Sequence, residues 1–211
     1  MKNTLIAGVL LASGIATGAT AQSLEKVTIE GGLSTLGLYI APKVDLAGPW
    51  GARAPLYLGS FSDTFDVDGS DIDGKLTSNS VALMADYSLG NSGLRLSGGL
   101  SLGGYELEGT ATSLTIEGNT YTGNFSAKLK QKRDVAPVLA VGYARTFGEN
   151  WGIVAEIGAR ITSLEVTTTG QDSITNPTER AQFDADLAQA NSDLSDIKIL
   201  PFLTLGISYN F

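Results

Sequence analysis

The segment that most constrains this chain is its last. Ile197, Ile199, Pro201, Leu203, Leu205, Ile207, Tyr209 and Phe211 alternate with Lys198, Leu200, Phe202, Thr204, Gly206, Ser208 and Asn210, so one face is apolar throughout. A side-chain period of two belongs to a β-strand. A stripe this long on one face suits a strand facing lipid, since roughly 10 residues cross a bilayer in a tilted strand. A half-buried strand of a soluble sandwich alternates in the same way, so the case rests on repetition.

The pattern does repeat. Val81, Leu83, Ala85, Tyr87 and Leu89 form one stripe, and Leu94, Leu96, Gly98, Leu100 and Leu102 another, with Asn91-Ser92-Gly93 turning between them. Leu139, Val141 and Tyr143 lead through Gly148-Glu149-Asn150 into Ile153, Ala155, Ile157, Ala159 and Ile161. Such hairpins predict an antiparallel meander. An earlier hairpin runs from about Leu33 through Ala47-Gly48-Pro49-Trp50 to Phe65; its apolar parity changes between Leu33 and Leu36, implying a bulge or turn near Gly31-Gly32.

Seven strands follow with an odd one wanting, because single-chain bacterial barrels usually have an even number. Leu24 to Gly31 is the expected eighth; Thr120 to Lys130, which also alternates, is the alternative. The fold class expected is all-β: a closed, antiparallel, up-and-down transmembrane β-barrel of eight strands, with one amphipathic helix in the last long loop. Tyr39, Trp50, Tyr87, Tyr143, Phe147, Trp151, Tyr209 and Phe211 lie beside the short turns, as an interfacial aromatic belt would. The short turns are therefore expected in the periplasm. Ser62 to Lys75, Glu108 to Gln131 and Thr168 to Asp196 are then extracellular loops. In the third, Asn176 precedes Pro177 as a helix cap, and Phe183, Leu187, Ala190 and Leu194 share one face of a helix over 177–195.

Residues 1–21 read as a secretory signal peptide: Lys2, the apolar run Leu5 to Ala12, and Ala19-Thr20-Ala21 before a cut at Gln22. The barrel is then residues 22–211. Without Lys2 there are 13 basic and 22 acidic side chains, a net charge of −9, which argues against a nucleic-acid partner. There is no Cys, so sheet closure rather than disulfides must hold an exported domain together.

With these stripes in hand, the ending Leu205-Gly206-Ile207-Ser208-Tyr209-Asn210-Phe211 resembles that of the small outer-membrane barrels of the OmpA, OmpX and OmpW kind. Gly206, Tyr209 and Phe211 match that family's C-terminal assembly signal. The resemblance implies location in a Gram-negative outer membrane. It also implies handling by periplasmic chaperones and the barrel-assembly machinery, and a monomer among outer-membrane lipid and lipopolysaccharide.

The sequence contains no His. With neither His nor Cys, Ser-His and Cys-His acyl transfer are excluded, and outer-membrane enzymes of known families resemble one another in depending on a catalytic His. No enzyme and no cofactor is expected. Asp86, Arg95, Glu156 and Arg160 lie opposite the apolar stripes and point into the lumen. They are expected to form a plugging ion-pair network, because buried charges persist only when paired. A narrow polar path is the alternative, with room left by Gly99, Gly103, Ala140, Gly142 and Gly158. Asp66, Asp68, Asp71 and Asp73 are the only metal candidates, and their spacing lacks the EF-hand order, so a solvated acidic loop is expected. The expected role is envelope integrity with surface-displayed loops. Two alternatives stand beside it, a passive pore for small or apolar solutes and a surface-binding protein.

Overall fold

The computed structural model describes residues 26–67 and 70–211. The strands are β1 (Lys26–Ser34), β2 (Gly37–Asp45), β3 (Trp50–Arg53), β4 (Leu56–Val67), β5 (Ser70–Ser88), β6 (Leu94–Ile116), β7 (Asn119–Gln131), β8 (Val135–Phe147), β9 (Trp151–Ile161), β10 (Leu164–Thr169) and β11 (Ile199–Asn210), with the helix α1 (Pro177–Asp196) before the last. Every pairing is antiparallel. β11 closes on β1, Tyr209 facing Ile29 and Leu205 facing Leu33. β3 and β4 act as one wall strand broken at Ala54-Pro55, and hydrogen bonds from Ala54 N to Pro42 O (3.0 Å) and from Ala82 N to Pro55 O (2.9 Å) carry the ladder across the break. The result is a ring of eight strands: β1, β2, β3/β4, β5, β6, β8, β9 and β11.

The eighth strand is therefore the N-terminal one, as expected. β7, the alternative, is a strand outside the ring. The parity change comes from a two-residue turn at Thr35-Leu36, not from Gly31-Gly32: with Ser34 opposite Gly37, outward residues are odd-numbered on β1 and even-numbered on β2. At the closing seam Gly32 faces Gly206, and a Cβ on Gly206 would lie 2.4 Å from the Gly31 carbonyl oxygen. That gives Gly206 a physical reason for being glycine.

Two of the three expected loops are largely strand. β4 and β5 remain paired as far as Val67 and Ser70, and β6 runs on to Ile116 before β7 returns along it. Beyond the ring, β4, β5, β6, β7 and β10 therefore form an open sheet, a platform at one end of the barrel; both described chain ends and the turns 46–49, 89–93 and 148–150 lie at the other. The apolar stripes end where this extension begins, because its outward residues are polar.

Candidate functional site

Around the ring, the outward side chains are those of the stripes. Leu83 (68% exposed), Leu100, Leu139, Ile157, Ile199 and Leu205 are all exposed. At the turn end, Trp50 packs on Tyr87 and Trp151 on Tyr209, each pair with ring centroids 5.0 Å apart. Tyr39 is not in this belt. It points inward and is buried, because the turn at Thr35-Leu36 puts odd residues of β2 on the lumen side.

The lumen holds a compact charged layer. Arg53 donates from Nε to Asp86 Oδ1 (3.0 Å), where Ser97 Oγ also donates (2.6 Å), and its Nη2 pairs with Glu156. Arg95 donates from Nη2 to Glu30 Oε2 (3.0 Å) and to Glu156 Oε2 (3.3 Å). The Tyr39 hydroxyl donates to Glu30 and accepts from Arg53 Nη1 (3.2 Å). All of these side chains are almost fully buried. Three carboxylates and two guanidiniums interlock, each acid touching at least one arginine, which is the condition for charges to survive away from water.

The expected set is thus partly assembled. Asp86, Arg95 and Glu156 meet in one network; Glu30, Arg53 and Tyr39 belong to it as well and were not singled out. Parity could have found them, since Glu30 lies opposite Val27 and Ile29, and Arg53 opposite Trp50, Ala52 and Leu56. Arg160 stands apart. It is 1% exposed, donates from Nη2 to Ser80 Oγ (2.5 Å), and its guanidinium carbon lies 5.7 Å from the Tyr57 ring centre. Among the described residues no carboxylate pairs with it, and its Nη1 has no hydrogen-bond partner.

Next to the charged layer is an apolar one of Tyr57, Phe202, Met84, Val138, Ala140 and Leu36. The glycines expected to leave a path sit in close contacts. A Cβ on Gly158 would sit 2.4 Å from the Phe202 ring, and one on Gly142 would meet Arg95 at 3.0 Å. Gly99 and Gly103 lie against the backbone of β5.

On the platform the two faces exchange character. The outward face carries ion pairs, Lys128 with Glu106 (3.1 Å) and Glu108, and Lys130 with Glu165 (3.1 Å). The face continuous with the lumen is apolar: Phe125 lies opposite Ala111 and Leu129 opposite Leu107, in the same parity as the inward Tyr105. α1 packs here. Asn176 caps it by accepting from Thr178 N (2.9 Å), and Phe183, fully buried, stacks on Phe125 (5.7 Å) and meets Tyr121 edge-on (5.0 Å). The buried face of the helix also carries an acid, Asp186, which accepts from Tyr121 OH (2.7 Å), Asn119 Nδ2 (2.9 Å) and Gln182 Nε2 (2.7 Å). The Tyr121 hydrogen bond, foremost, holds the Asp186 carboxyl below its usual range, while burial and Asp186 together push the Tyr121 phenol up to about 12. Asn191 accepts from Val166 N (2.8 Å) and donates to Val166 O (2.9 Å), closing the free edge of β10 as a neighbouring strand would.

Of the metal candidates, Asp68 and the side chains of Asp66 and Asp71 lie outside the described residues. Asp73 accepts from Thr64 Oγ1 (2.8 Å) across the hairpin. The described residues contain no cluster of three or more metal-ligating groups. Residues 1–21, the expected signal peptide, also lie outside.

No protein-family model and no curated protein sequence matches the chain. Among solved structures, CarO of Acinetobacter baumannii is similar with a TM-score of 0.62 at 22% identity, over 91% of this chain and 100% of that one. CarO2 of the same organism is similar with a TM-score of 0.61 at 20% identity, over 88% of this chain and 98% of that one. These neighbours are outer-membrane barrels, and the likeness confirms the fold: a closed antiparallel barrel with a ring of eight strands and one helix near its C-terminal end.

Proposed function

We propose that the chain is an integral outer-membrane barrel, closed to conduction, that serves the envelope as a scaffold and holds a helix-covered platform at the cell surface. The observation that carries this reading is the filled lumen, where the Glu30, Arg53, Asp86, Arg95 and Glu156 layer lies against the Tyr57 and Phe202 layer. The apolar outer stripes and the aromatic pairs at the turn end support burial in lipid, with the turns in the periplasm. In this reading residues 1–21 direct export, the Gly206, Tyr209 and Phe211 strand is the piece offered to the assembly machinery, and lipopolysaccharide surrounds the outer half. The paired platform favours a role at the surface as a second reading, because it presents an ordered structure rather than slack loops.

Single-channel recording of the refolded protein in a planar bilayer tests this. The wild type is expected to be silent, and the Arg53→Ala/Arg95→Ala variant to show discrete openings. Regular openings in the wild type would favour the passive pore instead.

A further inference from the structure

We propose that the platform end of the lumen is a binding site for a small amphiphilic carboxylate, with Arg160 supplying its charge recognition. A cavity of about 420 Å³ opens there between the β1–β2 turn, β4, β5, β6 and β11. That volume lies within the range of small-molecule sites. Its wall is apolar and accessible: Phe61 is 60% and Leu76 38% exposed, facing one another across the β4–β5 ladder, with Leu36, Tyr105 and Pro201 completing it.

The cavity is not purely apolar. Ser78 lines it, is 94% buried on the basis of 6% exposure, and its hydroxyl has no hydrogen-bond partner. One step further along the same face, about 7 Å away, Ser80 holds Arg160. Among the described residues no carboxylate pairs with that guanidinium, whereas Arg53 and Arg95 beside it are both paired. A buried, uncompensated positive charge favours an anion nearby. A carboxylate at the cavity floor would accept from the Ser78 hydroxyl and lie in the field of Arg160, while its hydrocarbon body covers Phe61 and Leu76. Cationic and purely polar ligands gain neither contact.

The test is calorimetric titration of octanoate, octanol and octyltrimethylammonium into the barrel in phosphocholine nanodiscs, with empty discs subtracted. Saturable one-to-one binding of octanoate is expected, about tenfold or more tighter than the other two. Arg160→Gln should bring octanoate to the level of octanol and leave octanol unchanged. Leu76→Glu, at an exposed wall position, should weaken octanoate more than octanol, and it decides the matter if Arg160→Gln does not fold. Equal binding of all three headgroups, an unchanged Arg160→Gln, or inorganic phosphate competing as well as octanoate would overturn the proposal. None of these results depends on whether the lumen conducts, so the site can fail while the closed-barrel reading stands.

Discussion

Strands β5 and β6 each pass through two regions of the molecule, and in the two regions their faces do opposite things. Within the ring, β6 turns Leu96, Leu100 and Leu102 outward and Arg95, Ser97 and Ser101 inward; on the platform it turns Glu106 and Glu108 outward and Tyr105 and Leu107 inward. The ladder between β5 and β6 runs from Ser88 opposite Arg95 to Asp73 opposite Thr110 without a slip. The inversion is therefore not one of register; in the proposed reading it is one of surroundings, lipid giving way to water. The same rule, polar toward the polar medium, gives an inside-out barrel below and an ordinary helix-on-sheet layer above.

The comparison is broken most severely inside the ring. Arg53→Leu leaves Glu30, Asp86 and Glu156 facing Arg95 alone in the lumen and should cost about 3–5 kcal/mol in urea unfolding from lipid, the penalty for stranding buried charge. Glu108→Leu, an acid on the outward platform face, should leave the barrel's midpoint where it is. Next, Leu205→Lys on the lipid face should cost about 2–4 kcal/mol and impair insertion, while Ser208→Lys on the same strand's lumen side should be milder. Equal tolerance would sink the assignment of faces.

Phe183→Ala acts on the other region. It removes the ring that α1 stacks on Phe125 and should expose the helix to limited proteolysis while the barrel keeps its heat-modifiable migration on gels. A loss of the folded barrel would show that the platform is part of its core. The smallest effect expected is that of pH on helix docking. Asp186 binds its proton more weakly when folded, so its contribution is present above the usual carboxylate range and is lost as pH falls below it. Tyr121 holds its proton more tightly when folded, so its contribution is present below about 10, the free phenol value, and is lost as pH rises toward about 12. Protease resistance of α1 should be greatest between those limits, and Asp186→Asn should flatten the acid side.

The ring was legible because its outward face is apolar and its lumen polar, which makes the alternation strong: Leu94 to Leu102, Ile153 to Ile161 and Ile199 to Ile207 could be read directly. The platform was not. Along β6 from Gly104 to Ile116, Thr, Ser and Gly dilute the alternation; Thr120 to Lys130 on β7 does alternate, but its apolar side faces a helix contributed from elsewhere in the chain. The lumen network was half legible for a related reason. Asp86, Arg95 and Glu156 stand in clean stripes, whereas Glu30 sits in a short strand whose turn lies at Thr35-Leu36 rather than at Gly31-Gly32, and Arg53 in a four-residue strand too short to show a stripe. That α1 buries an acid, Asp186, follows only from its partners on β7.

The central claim, that β6 leaves lipid near Gly103-Gly104 without changing register, is tested most directly by spin-label accessibility. Single substitutions to Cys from Leu94 to Leu114, labelled and measured in bilayers, should give oxygen accessibility with a period of two, peaking at Leu96, Leu100 and Leu102. At Glu106 and Glu108 the same face should instead become accessible to a water-soluble relaxer. Oxygen maxima continuing through Glu106 and Glu108, or aqueous access at Leu100, would contradict it.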